Sequence, residues 1–135
     1  MFVTMFICRL NIKLNLFEYC NAGHNPPVVG NADGQLSFLD VEANAPIGLW
    51  PELEFKGEFI DYFKDRLLFI YTDGLNEAEN CQQEQFGDEH LLNVLRQVQN
   101  DTAQQIIETL ADAVSQHRNG ADSNDDLTMM CIRMN

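Results

Sequence analysis

Apolar residues come in short, closely spaced runs in the first half of the chain and at three- and four-residue intervals in the second. Residues 2–10 read as a strand, with Val3, Met5 and Ile7 on one face and Phe2, Phe6, Cys8 and Leu10 on the other. Apolar residues on both faces suit a central strand. Asn11-Ile12-Lys13-Leu14-Asn15 makes a turn, and residues 16–20 return as a second strand, so residues 2–20 predict an antiparallel hairpin. Residues 28–29 and 35–41 are short strands joined through Asn31-Ala32-Asp33-Gly34, an Asp-Gly hairpin signal. Residues 43–51, with Pro46, Gly48 and Pro51, form a loop, and residues 53–62 alternate like a strand. Lys64-Asp65-Arg66 turns the chain into Leu67-Leu68-Phe69-Ile70-Tyr71, a run that predicts a strand buried on both faces. Strand after strand with short connections implies an antiparallel sheet or two stacked sheets.

The period then changes. Residues 75–78 read as a short helical turn, followed by a polar loop through Asn80-Cys81-Gln82-Gln83. A helix over about 88–99 places Leu91, Leu92, Val94, Leu95 and Val98 on one side, with Asp88 and Glu89 complementing its dipole. Thr102-Ala103-Gln104-Gln105 has the form of a capping box and opens a second helix with Ile106, Ile107, Leu110, Ala111 and Val114 inward. Asn119-Gly120 ends it, and residues 127–132 are the last strand. No repeat and no linker interrupts the chain, so its 135 residues fit one domain.

Composition narrows the function. Net charge is -13, with 8 basic against 21 acidic residues, which repels nucleic acid and anionic membrane and favours cations or a basic partner. No apolar run approaches a membrane span, and the first eight residues lack the basic start and cleavage site of a signal peptide. Four cysteines without a C-x-x-C pair fit reduced thiols in a cytoplasmic protein.

Candidate chemistry sits at two acidic points. Asp73, followed by Gly74, ends the buried run at 67–71, where a metal ligand or catalytic acid is well held; an Asp-Gly turn is the bland alternative. Asp125 and Asp126 precede the last strand and equally fit a solvated loop. If the two strands are antiparallel neighbours, these carboxylates meet at one rim of the sheet. A hard divalent cation, Mg²⁺ or Mn²⁺, resolves such repulsion, and two ions about 4 Å apart activate water and hold a phosphoryl group. His24, in the loop Asn21-Ala22-Gly23-His24-Asn25-Pro26-Pro27, is a ligand or acid/base candidate as well as an ordinary hydrogen-bonded loop residue.

The chain resembles the C-terminal part of a SpoIIE/RsbU-type serine phosphatase domain, the bacterial branch of the PP2C (PPM) family. The segments that carry the resemblance are 21–27, Ala45-Pro46-Ile47-Gly48-Leu49, 65–78 with Thr72-Asp73-Gly74, Gln85-Phe86-Gly87-Asp88 and Asp125-Asp126-Leu127-Thr128. They occur in family order over most of the chain. The resemblance implies an α+β fold, an α-β-β-α sandwich of antiparallel sheets, incomplete here at its N-terminal side. It implies Asp73 and Asp125 as metal ligands, with Asp126, His24 and Gly74 as supporting residues. It implies Mn²⁺ or Mg²⁺, a metal-activated water as nucleophile, and a phosphorylated STAS-like anti-anti-sigma protein as substrate. Where eukaryotic relatives carry Asp after the glycine of the 22–24 loop, this chain has His24, and Lys64 replaces a common glycine.

The family's G-G-D-x-x-D and D-x-x-G-H-G motifs, which supply the metal-bridging groups, do not occur in this sequence. A fragment of a longer phosphatase and a degenerate relative are both open, so family and activity are separate questions. The expectations are a phosphatase or, alternatively, an inactive protein-interaction module. A covalent aspartyl phosphate on Asp73 would need a D-x-D-x-T-like pattern that Asp73-Gly74-Leu75 does not supply. An apolar N-terminal hairpin without its cover further predicts a homo-oligomer.

Overall fold

The computed structural model describes residues 1–134. In chain order the elements are β1 (Met5–Asn11), β2 (Leu16–Ala22), β3 (Val28–Gly30), β4 (Leu36–Phe38), β5 (Glu58–Asp61), β6 (Leu67–Tyr71), α1 (Asp73–Asn76), α2 (Asp88–Val98), α3 (Ala103–Arg118) and β7 (Met129–Arg133). They divide into two compact units, each with its own antiparallel sheet.

The first unit, residues 1–26, 39–65 and 134, holds the sheet β1-β2-β5. β2 is its centre because Phe17 and Tyr19 project to one side, where Phe17 stacks on Tyr19 at 5.2 Å and on Phe63 at 4.6 Å. The hairpin forms as predicted, with Ile7 opposite Cys20 and Leu10 opposite Phe17. The predicted central position of the first strand is wrong: β1 lies at the sheet edge and pairs only with β2. It starts at Met5, and Val3 makes only an isolated bridge, exchanging hydrogen bonds of 2.9 and 2.8 Å with Ile47. Two apolar faces do not mean double burial here, since the face carrying Val3, Met5 and Ile7 is open, with Ile7 61 % exposed. The strand expected over 53–62 shrinks to β5. Upstream, the Asn44 amide clamps Lys56, accepting from its N–H at 3.1 Å and donating to its carbonyl at 3.2 Å, so that segment forgoes a ladder.

The second unit, residues 27–38 and 66–133, holds the sheet β4-β3-β6-β7. β6 is central and buried on both faces: Leu67, Leu68, Phe69 and Tyr71 are all nearly inaccessible. α2 packs on β4 and on α3, and α3 packs on β7. The core joins Leu91 and Leu95 of α2 and Ile106, Leu110 and Val114 of α3 to Val28, Leu67, Phe69 and Tyr71. Each large side chain buried there contributes about 1.5–3 kcal/mol. The capping box forms: the Gln105 N–H donates to Thr102 Oγ1 at 3.2 Å and the Thr102 N–H to Gln105 Oε1 at 3.0 Å. Asn119 adopts the left-handed conformation that ends α3.

Three boundaries and one inward position shift. The strand at 35–41 contracts to β4, and the last strand starts at Met129 rather than 127. Ala111 faces solvent, and Ala113 packs against the core in its place. The helical turn expected over 75–78 begins two residues earlier, because extended Thr72 caps it and its carbonyl accepts from the Leu75 N–H at 3.0 Å. Among the described residues, no helix is long and apolar enough to cross a membrane.

Candidate functional site

The antiparallel neighbours required by the sequence reading are β6 and β7. Tyr71, the last residue of β6, lies opposite Met129, the first of β7. The Thr72 N–H donates to the Thr128 carbonyl at 3.1 Å, extending the pairing one step past the strands. The Thr72 hydroxyl then accepts from the Thr128 N–H at 3.1 Å and donates to the Asp126 carbonyl at 3.2 Å. One threonine side chain therefore ties Thr72-Asp73-Gly74 to Asp125-Asp126-Leu127-Thr128.

Gly74 shows how close the two segments run. A Cβ built there would lie 2.1 Å from the Asp126 carbonyl oxygen and 2.7 Å from its carbon, so only glycine fits against that backbone. Asn124 adds a second tie, donating to the Glu77 carbonyl at 3.0 Å and accepting from the Glu79 N–H at 3.4 Å. Asp125 closes its own loop: its Oδ1 accepts from the Asp126 N–H at 2.7 Å, and its carbonyl accepts from the Ser123 hydroxyl at 2.7 Å. Asp73 opens the single turn α1, and the carboxylates of Asp73, Asp125 and Asp126 are all exposed.

The sequence named Asp73, Gly74, Asp125 and Asp126 but gave no role to Thr72, Thr128 or Asn124. The available signal was a threonine at matching ends of both acidic motifs. Under this edge, burial and then the charge of Asp88 push the Tyr71 phenol up from its ordinary value. Asp88 also accepts from Asn76 Nδ2 at 2.9 Å, which couples the end of α1 to the start of α2.

His24 belongs to the first unit. Its N–H donates to Asn21 Oδ1 at 3.0 Å, and Asn21 Nδ2 returns a bond to the His24 carbonyl at 2.8 Å. Its Nδ1 lies 2.9 Å from the Asn25 carbonyl, which only accepts, so Nδ1 carries the proton.

Among the described residues, no group of three or more His, Cys, Asp or Glu side chains converges to hold an ion. A closed structural site takes three or four protein ligands, whereas Mg²⁺ is commonly held by one or two carboxylates plus waters. The Asp73 and Asp125 segments could supply carboxylates of the second kind but form no closed protein cage, and no chemical step is routed through a metal.

A family profile described as stage II sporulation protein E (SpoIIE) matches residues 1–135. The chain belongs to the SpoIIE family. Protein IcfG of Synechocystis sp. is 29 % identical over 136 residues, covering 100 % of this chain and 21 % of IcfG. Phosphoserine phosphatase RsbP of Bacillus subtilis is 32 % identical over 74 residues, covering 55 % of this chain and 18 % of RsbP. The SpoIIE-family chain thus spans about a fifth of the length of these curated relatives. The solved SiaA-PP2C domain of Pseudomonas aeruginosa superposes with a TM-score of 0.82 at 15 % identity, covering 98 % of this chain and 52 % of that domain. The fold is therefore that of PP2C phosphatase domains, mixed α/β with antiparallel sheets, over about half of such a domain.

Proposed function

We propose that this chain is the C-terminal part of a single protein serine/threonine phosphatase domain acting in sigma-factor regulation in the cytoplasm. Its substrate in this reading is a phosphorylated STAS-like anti-anti-sigma protein. The observation that carries the proposal is the Thr72 bridge with its glycine contact, which brings the Asp73 and Asp125 segments to one sheet edge. Asp73 and Asp125 are the proposed ligands for Mn²⁺ or Mg²⁺, supported by Asp126 and Gly74; His24, bonded to Asn21 and Asn25 in the first unit, is given no part in the site. The remaining ligands come from groups that this sequence does not contain. The homo-oligomer expected from the open β1 edge belongs to the same proposal.

A second reading follows from the incomplete donor set: the chain binds the phosphoprotein without turning it over. Phosphate release from a phosphoserine STAS-like protein in Mn²⁺, measured beside a pull-down of that protein, separates the two. We expect capture with little or no release by the 135-residue chain. Mn²⁺-dependent release that disappears in Asp125→Asn establishes the phosphatase outright. Neither capture nor release would overturn both readings.

A further inference from the structure

Asp125 lies between two residues that are both tied to the same short turn. After it, the Asp126 carbonyl accepts from the hydroxyl of Thr72, the residue that caps the start of α1, at 3.2 Å. Before it, Asn124 reaches the other end of α1. Its Nδ2 donates to the Glu77 carbonyl at 3.0 Å, and its Oδ1 accepts from the Glu79 N–H at 3.4 Å. Thr72 and Asn124 thus grip both ends of the turn that Asp73 opens.

An amide suits position 124 in a way that a carboxylate does not. A backbone carbonyl only accepts and a backbone N–H only donates, so the two partners fix which end of the Asn124 amide faces which. The bond to Glu77 also satisfies a carbonyl at the helix end, where internal partners run out. An aspartate there would set an oxygen against that carbonyl and lose the donor. Asn124 is exposed, so neither bond belongs to the packed core. What the two bonds fix is the path of residues 124–126 beside α1.

We propose that Asn124 is a positioning residue for Mn²⁺ or Mg²⁺: its clamp on Glu77 and Glu79 holds the Asp125 segment beside Asp73, so that one cation meets both carboxylates. The role rests on the metal reading of this edge and adds to it a side chain that touches neither the ion nor the phosphoryl group. Residues that orient metal ligands from behind typically account for about ten- to a hundredfold in affinity. The bond from Glu79 is long, which puts Asn124 at the lower figure.

The test is the Mn²⁺ affinity of the 135-residue chain, read from the electron paramagnetic resonance signal of the free ion up to about 10 mM, which covers a millimolar site. Wild type should bind, and Asp73→Asn should lose the binding. Asn124→Ala removes both bonds and should weaken Mn²⁺ about tenfold. Asn124→Asp separates placement from charge. A purely electrostatic edge gains affinity from the added carboxylate, whereas the clamp loses affinity with its donor. Val98→Ala trims the core at the far end of α2 and should lower stability with Mn²⁺ affinity unchanged. Circular dichroism checks that each variant folds. Equal affinity in wild type and Asn124→Ala, with binding still lost in Asp73→Asn, overturns the positioning role and leaves the metal reading standing. Tighter binding by Asn124→Asp, or equal weakening in Val98→Ala, overturns the role too. No binding by wild type, or binding that survives Asp73→Asn, overturns the metal reading and the role of Asn124 with it.

Discussion

β1 and β6 have almost the same apolar content on paper, yet the two sheets treat them differently. Met5-Phe6-Ile7-Cys8 and Leu67-Leu68-Phe69-Ile70 both carry apolar side chains on both faces. β6 lies between β3 and β7, in a unit whose helices α2 and α3 complete its core. β1 has a single neighbour, and among the described residues the unit that contains it has no helix. The consequence is an exposed apolar row on the three-stranded sheet, with Ile7 61 % and Phe59 65 % accessible. Hydrophobicity recruits a strand into a sheet; neighbours and helices decide how many of its faces are buried.

The largest effect should separate the two strands directly. Phe69→Ala removes a fully buried ring from the helix-covered core and should cost about 3–5 kcal/mol in urea unfolding. Ile7→Ser on the open sheet should change stability by less than about 0.5 kcal/mol. A comparable loss in both would mean that the β1 face is covered in solution, and the contrast would fail.

The next effect compares two glycines. Gly74→Ala drives a Cβ into the Asp126 backbone and should cost about 3 kcal/mol, because neither backbone segment yields without breaking the Thr72 bridge. Gly23→Ala in the other unit meets the Pro46 ring at 2.6 Å from a backbone at φ 70°. Its expected cost is about 1–2 kcal/mol, that of the left-handed conformation with a ring that shifts. Chemical denaturation of both variants gives the order; a neutral Gly74→Ala would show that the acidic edge is looser than drawn.

The smallest effect is on pH dependence. Burial, then the charges of Glu58 and Asp40, push the Tyr19 phenol up to about 12. Burial and Asp88 push Tyr71 up too. A phenol raised in the fold favours its neutral form there. Its stabilisation is complete below the ordinary value near 10 and is lost as pH rises through the folded value. Stability should therefore fall above about pH 10, and either Tyr→Phe change should flatten that fall. Tyr71→Phe should flatten it more, being the more deeply buried of the two. Denaturation midpoints between about pH 9 and 11.5 test this, and identical slopes in all three proteins would remove the phenols from the account.

The sequence alone determined what depends on local pattern. The hairpin at the start, the buried run at 67–71, both long helices, the Thr102 capping box and the stop at Asn119 are all written in spacing and side-chain type. It also named Asp73, Gly74, Asp125 and Asp126, because acidic residues against apolar runs stand out in any reading. Only the tertiary structure decided which apolar faces are covered, because burial depends on the partner and not on the residue. Only it decided that Gly74 must be glycine, since the obstructing oxygen belongs to Asp126, far away along the chain. The roles of Thr72 and Asn124 were decided the same way: a hydroxyl and an amide are ordinary in a loop until pairing of β6 with β7 brings their acceptors within reach.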